Sequence, residues 1–511
     1  MHDAPLPDPR RRGLLGLALA AGIAPSHIAC AQLREWPSDP FALGIASGCP
    51  RADSVVLWTR LAPAAAPGAS EAVGWELATD EAFRDVVHRG AETAVAADGH
   101  SVHAEATGLE PSRWYYYRFT AGGARSEVGR TRTAPAAGRE EALAFAIASC
   151  QRWDDGHYAA WRHLADEAPD LVVFLGDYIY ESAPRANRVR THVGSGPALT
   201  LDDYRARYAQ YRSDASLRRA HAVAPWIVTW DDHEVQNDYA SDRGQDLSPV
   251  FVARRAAGYQ AWWEHMPLPK RMRPRDASLR VHDRYDWGAL ARFHVLDDRQ
   301  YRDYHACPPP GRGGSTTVNL ADCPELARPD RTLLGAEQER WLADGLAQRD
   351  ARWNLVAQQT LVAPFTWTRE GRHWTDGWAG YPGARDRFLD AIVERKARDT
   401  LVLSGDVHCN YLCDLKRRVD DPPGAVIATE VCGTSISSSG LAQERIAAVL
   451  PLNPHIRYAR ADERGYVALK AGVARVDVAL RVVSDVLDPN ASVRTAGRFV
   501  VEAGRPGIQA A

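Results

Sequence analysis

From Ala142 onward, short apolar runs stop abruptly on acids, histidine or cysteine. LAFAIASC, LVVFLGD, APWIVTWDDH, WNLVAQQ and DTLVLSGDVH each read as a buried strand, apolar and bounded by polar or turn residues. Between them the apolar spacing lengthens toward the helical period. HYAAWRHLADEA, LGAEQERWLADGLAQRD and YPGARDRFLDAIVERKA are predicted helices. The first strand, first helix and second strand make a βαβ unit with a short crossover. Near the C terminus YVALK, ARVDVALRVV and RFVVEAG return to strands. The pattern predicts a layered α/β domain over residues 138–511, with central β-sheets flanked by helices.

Leu43 to Pro135 has a different rhythm. VVLWTRL, GWELAT, HAEATGL, WYYYRFT and EVGRTRT are short, β-rich and separated by turn residues. That spacing predicts a small all-β sandwich of the immunoglobulin or fibronectin type over residues 32–137, with APAAGREEA as a linker. GLEPSRWYYYRF resembles the tyrosine-corner stretch of such sandwiches. Ahead of it, Arg10, Arg11 and Arg12 precede the apolar run LLGLALAAGIAP, and Ala29-Cys30-Ala31 follows as a small-residue cleavage site. Residues 1–31 therefore read as a secretory signal of the twin-arginine type. The run falls short of the roughly 20 residues that span a bilayer. The expected location is periplasmic or secreted, the expected export partner is the twin-arginine machinery, and no stable membrane insertion is expected after processing.

Composition narrows the picture. The chain has 511 residues, 45% of them hydrophobic, and a net charge of −3. That suits a soluble protein of two or more domains and gives no reason to expect a nucleic-acid partner. Of the 8 cysteines, Cys30 leaves with the signal. The other seven should mostly pair in an oxidising compartment, with one left over. Cys307 and Cys323 flank a Pro/Gly-rich loop and look like a local disulfide. Cys49, Cys409, Cys413 and Cys432 are candidates for further pairs, and Cys150 for the odd thiol.

The strand ends carry the chemistry. In layered α/β folds, ligands bind beyond the carboxyl ends of the strands. Those ends place Cys150, Asp177, Asp231-Asp232-His233 and Asp406-Val407-His408. Singly, each has an ordinary structural role: a helix cap, a satisfied histidine, a solvated acidic turn, an inert buried thiol. Their recurrence on one edge is what a metal site requires.

Five motifs then bring a resemblance. LVVFLGDYIYE, VTWDDHEVQNDYA, LDDRQYRD, LSGDVHCNY and TEVCGTSISSSG strongly resemble the PhoD-like alkaline phosphatases and phosphodiesterases, a branch of the calcineurin-like metallophosphoesterases. IASGCPRADSVVLWTRL resembles that family's N-terminal β domain, with Cys49 where an acid is usual. The resemblance implies a binuclear centre, ferric iron (Fe3+) plus calcium (Ca2+), with magnesium (Mg2+) or manganese (Mn2+) as alternatives in the second site. Cys150, Tyr180, Asp177 and His408 match the iron ligands, with Asp177 bridging both metals. Asp232 and Asp406 match the second site, with Asp231 and Asn237 as alternatives. Gln358 or Gln359 stands where the superfamily has a histidine. The chemistry implied is attack of metal-activated water on phosphate mono- or diesters, small or polymeric. His233 matches the histidine that protonates the leaving oxygen or binds phosphate. Arg152, Arg299 and Arg302 are candidate phosphate contacts, and Trp378, Tyr381 and Arg385 candidates for the entrance.

Two other readings compete. One is a serine hydrolase using Ser435 or Ser437 of GTSISSSG, unsupported by any G-x-S-x-G elbow. The other is a non-catalytic surface-binding module, against which the full set of candidate ligands argues. For export, Arg11→Lys combined with Arg12→Lys should stop translocation of the folded protein. Equal periplasmic yield of that variant, read by fractionation, would refute the twin-arginine route.

Overall fold

The structure is a computed structural model, and it describes residues 36–62, 70–419 and 424–511. The signal sequence expected at residues 1–31 lies outside the described residues. Among the described residues, no helix is long and apolar enough to cross a membrane.

Two large sheets face each other. The first has ten strands and the second seven. In the first, Leu143–Ala148, Leu171–Phe174 and Pro225–Val228 run parallel, as the βαβ pattern requires. The C-terminal strands Gly465–Ala471, Arg475–Val483, Val493–Glu502 and Arg505–Ala510 extend it antiparallel beyond Leu143–Ala148. The second sheet is built on the parallel strands Ala291–Val295, Trp353–Ala357, Thr400–Ser404 and Ala428–Cys432. Period-2 alternation decides which way each side chain faces. Leu401 and Leu403 point into the core between the sheets, and Val402 points out toward the helices Gly335–Leu346 and Pro382–Glu394. Phe145 of the first sheet meets Phe293 of the second edge to face, with centroids 5.6 Å apart. Helices on the outer faces complete the layers.

The N-terminal strands have their own core, in which Val55, Leu57, Val73, Leu77, Tyr115 and Phe119 pack together. Their two layers differ in kind. Ser70–Ala78, Val86–Val95 and Trp114–Ala121 belong to a separate five-stranded sheet. Ile45–Gly48, Ser54–Arg60 and Ser101–Thr107 instead continue the ten-stranded sheet, because Ile45–Gly48 pairs in parallel with Pro225–Val228. The tyrosine corner forms: the Glu110 amide donates to the Tyr115 hydroxyl at 2.9 Å. The strand Val86–Val95 escaped the sequence reading because it is largely exposed along its length, and its polar, Gly-containing stretch carries little strand signal.

The cysteine expectation is mostly overturned. Cys307–Cys323 is bonded, but Cys49, Cys150, Cys409, Cys413 and Cys432 are free and buried. Register explains two of them. Cys432 pairs with Tyr411, and Cys413 pairs with Glu430. Those two thiols therefore sit at diagonal positions, about 7–8 Å apart and beyond bridging reach.

Candidate metal centre

The candidate residues leave their strands through strained turns. Cys150, Asp177, Asp406 and His408 all have left-handed backbones, with φ of 59°, 60°, 64° and 52°. Non-glycine residues seldom adopt this conformation, and it clusters at functional sites. Gly176, at φ 106°, must be glycine: a Cβ there would lie 2.5 Å from the Asp231 side chain. The strands come from two sheets, whereas a single edge was expected. Cys150, Asp177 and Asp231 follow strands of the first sheet, and Asp406 follows Thr400–Ser404 of the second. The site therefore fills the cleft between two sheet edges.

Among the described residues, three groups of side chains offer ligand atoms within 4.8 Å of one another: Cys150, Asp177 and His408; Asp177, Asp232 and His233; and Asp232, Asp238 and Asp376. Asp177 joins the first two groups, and Asp232 joins the last two. The Tyr180 hydroxyl donates to Asp177 Oδ2 at 2.8 Å and lies 3.1 Å from His408 Nε2 and 2.8 Å from Ser438 Oγ. Asp406 lies outside the three groups, with its Oδ2 buried and unpartnered. Asp177 Oδ1 and Asp231 Oδ2 are likewise buried without a partner.

Electrostatics says what such a site requires. Burial first, then Asp177, Asp406 and Asp231, push the Cys150 thiol well up. Burial pushes Asp177 up to about 6, with Asp232 adding to it. Asp231 and Asp406 also rise, again chiefly by burial. Burial lowers His408 to about 4, leaving a neutral imidazole free to ligate. Clustered buried acids with orphaned oxygens are unstable as anions unless cations join them. The residues present thus fit a metal centre.

Comparison with known proteins agrees. The sequence model of the PhoD-like phosphatase family matches residues 145–480, and that of its N-terminal domain matches residues 27–135. The chain belongs to the PhoD-like phosphatase family. Alkaline phosphatase D of Bacillus subtilis (strain 168) is 41% identical over 514 residues, covering 97% of this chain and 86% of that protein. The solved structure of PhoD superposes with a TM-score of 0.89 at 42% identity, covering 93% of each chain. A purple acid phosphatase from yellow lupin seeds shares the fold, with a TM-score of 0.58 at 12% identity, covering 90% of this chain and 74% of that one. The protein is a metal-dependent phosphoric ester hydrolase.

Several residues of this PhoD-like site were not singled out from sequence. Glu181 accepts from His233 Nδ1 at 2.7 Å and from the Asn237 amide at 2.9 Å. Burial opposes the charge on His233, but Glu181, Asp177 and Asp232 outweigh it and raise His233 to about 10. Buried Glu234 clamps two ligand loops, accepting from the Tyr178 amide at 2.6 Å and the Asp231 amide at 2.8 Å. Asp376 accepts from Arg299 at 2.7 Å, Arg302 at 2.9 Å and His305 at 2.8 Å. Asp238 carries the amide that donates to Asp232 at 2.6 Å. Glu181 and Glu234 sit inside quoted motifs, so proximity to a ligand was the available signal. Nothing local marks Asp376, which lies far along the chain.

Other candidates are placed elsewhere. Arg299 is fully buried and donates to Asp231, with Nη2 3.7 Å from Asp232. Arg302 is buried against Asp376 and the Asp298 carbonyl. Arg152 stays at the rim, donating to Asp154 at 2.8 Å and Ser182 at 2.6 Å, its guanidinium 4.9 Å from the Tyr180 ring centroid. Neither glutamine offers its oxygen to a metal. Gln359 Oε1 accepts from the Asp298 amide, Gln358 Oε1 accepts from Trp378, and both amide nitrogens donate to protein oxygens. Trp378, Tyr381 and Arg385 pack inward, bonded to Gln358, the Asp303 carbonyl and the Val362 carbonyl, and do not form the entrance. Ser435 and Ser437 donate to the carbonyls of Ser438 and Arg152, so neither is paired with a histidine. The serine-rich loop is a scaffold for Cys150, whose carbonyl accepts from Ser438 Oγ at 2.7 Å.

The two neighbouring aspartates should separate by experiment. Asp231→Asn breaks the buried pair with Arg299 and should destabilise by about 3–5 kcal/mol, while keeping most of the metal. Asp232→Asn should lose metal with a smaller stability change. Elemental analysis and thermal unfolding of both variants would check this, and the reverse pattern would exchange their roles.

Proposed function

We propose that the protein is an exported phosphoesterase that hydrolyses phosphate mono- or diesters at a binuclear centre of ferric iron and calcium. One observation carries the reading: Asp177, buried and with a free oxygen, is within ligand range of Cys150 and His408 on one side and of Asp232 on the other. Cys150, Tyr180, His408 and Asp177 form a donor set of thiol, phenol, imidazole and carboxylate, which suits iron. Asp177, Asp232 and Asp406 offer oxygens only, which suits calcium, or magnesium or manganese. Two cations held there would neutralise phosphate charge and supply an activated water for in-line attack.

The remaining work falls to side chains. His233 is tied through Nδ1 to Glu181, which leaves Nε2 to carry a proton toward the departing oxygen. Cations beside Asp177 and Asp232 would offset those two acids, leaving Glu181 as the partner that keeps His233 protonated. Arg152, half-buried at the rim, is a phosphate contact in this reading. The name of the Bacillus relative, alkaline phosphatase D, favours phosphoester hydrolysis at alkaline pH.

His233→Ala should slow alkyl phosphates by roughly 10²–10⁴ and activated aryl phosphates far less, because only a poor leaving group needs the proton. An equal loss on both classes would make His233 a binding or structural group. For the metals, the purified protein should be coloured, because thiolate and phenolate donors on ferric iron absorb visible light. Tyr180→Phe should shift or weaken the band, and calcium should restore part of the activity lost to mild chelation. A fully active, colourless protein containing zinc and no iron would overturn the iron assignment.

A further inference from the structure

A second cavity lies beside the metal centre, and no step above uses it. It encloses about 570 Å³, within the size range of pockets for organic ligands. Its walls carry four aromatic rings, Phe365, Trp367, Trp374 and Tyr411, and two exposed arginines, Arg372 and Arg445. The Phe365 centroid is 4.6 Å from that of Trp367 and 5.5 Å from that of Tyr411. Two residues of its lining are chain neighbours of residues in the cleft. Val407, one of its lining residues, stands between Asp406 and His408, and Gly377, another, follows Asp376. Consecutive Cα atoms are only about 3.8 Å apart, so cavity and cleft share a backbone wall.

The cavity is held in shape by buried polar groups. Glu430 accepts from the Val362 and Ala363 amides, each at 2.8 Å, and fixes the start of the segment that bears Phe365 and Trp367. Asn453 grips its middle, accepting from the Thr366 amide at 2.8 Å and donating to the Thr366 carbonyl at 3.0 Å. Trp374 Nε1 donates to Ser315 at 2.9 Å, and Ser315 in turn donates to Asp238 at 2.6 Å. The Cys307–Cys323 disulfide closes the loop that supplies Ser315. A phosphate group gains nothing from a ring-lined space of this size. A flat organic group does, through stacking and burial of its faces. The two guanidinium planes at the exposed side add surfaces that also stack on rings.

We propose that this cavity is the subsite for the alcohol portion of the phosphoester, and that it selects a flat aromatic group there. The proposal rests on the phosphoesterase reading and names the substrate class for the same site. Its test compares 2-phenylethyl phosphate with ethyl phosphate, whose leaving alcohols are similarly acidic, so that the chemical step is matched. The metal-loaded enzyme should prefer the phenylethyl ester in kcat/KM by ~10-fold or more, the discrimination expected of an apolar pocket. Trp367→Ala should bring that ratio close to one, and Trp367→Phe should keep most of it. Calorimetry supplies a second readout: 2-phenylethylphosphonate should bind more tightly than ethylphosphonate, and Trp367→Ala should abolish the difference. Equal kcat/KM for the two esters, or a Trp367→Ala loss that is the same for both, overturns the proposal. If neither ester is hydrolysed, the monoesterase arm of the phosphoesterase reading fails. The phosphonates then decide the cavity alone, upholding it if the phenyl preference depends on Trp367 and overturning it if there is none.

Discussion

Everything at the heart of this protein follows from mutual repulsion among buried acids. Asp177, Asp231, Asp232, Asp376 and Asp406 converge with a thiol at the edges of two sheets. Two unit charges 4 Å apart repel by about 4 kcal/mol at an effective dielectric near 20. Such a cluster survives only if it is pinned from outside and neutralised from inside. The outside pinning is visible in Arg299, Arg302 and His305, which hold Asp231 and Asp376, and in Glu234, which clamps two loop amides. Neutralisation from inside is what metal cations would supply, and the unpartnered oxygens of Asp177 and Asp406 are free to receive them.

The same constraint organises the surroundings. Holding ligands in left-handed turns costs backbone strain, roughly 1–3 kcal/mol per residue. A dense set of hydrogen bonds offsets it. The serine-rich segment after Ala428–Cys432 bonds the Cys150 turn through Ser437 and Ser438. Its sequence invites a nucleophile reading, yet the hydroxyls of Ser435, Ser437 and Ser438 are occupied by backbone carbonyls. The disulfide-closed loop reaches Asp238 through Ser315 and reaches the aromatic cavity through Trp374. A covalent staple, an acidic cluster and a ring-lined space are thus mechanically connected.

The N-terminal strands take part in this rigidity. Their sheet and the catalytic sheet are continuous through the pairing of Ile45–Gly48 with Pro225–Val228, the strand that leads to the Asp231-Asp232-His233 turn. Apolar burial on both faces of that strand fixes the turn from the side opposite the second sheet. A β module joined in this way works as a buttress for the site.

Much was legible in the chain alone. Apolar runs and period-3.6 spacing marked most of the first sheet, two strands of the second and the helices Ala159–Glu167, Gly335–Leu346 and Pro382–Glu394. The other five strands of the second sheet and the helices Leu201–Arg212, Ala215–Ala222 and Phe251–His265 went unread. Cys150, Asp177, Tyr180, Asp232, His233 and His408 could be named because each follows a strand within a recognisable motif. Three matters needed the tertiary structure. Which amides are spent was one: Gln358 and Gln359 bond to protein partners that only folding brings to them. Which cysteines meet was another, since strand register sets Cys413 and Cys432 on a diagonal. The third was charge partnership over long separations. Asp376 meets Arg299, and Glu181 meets His233, across 77 and 52 residues. Local pattern carries no trace of such contacts, because the chain determines which face of each element is buried, and only the packing of elements determines what each buried polar group finds there.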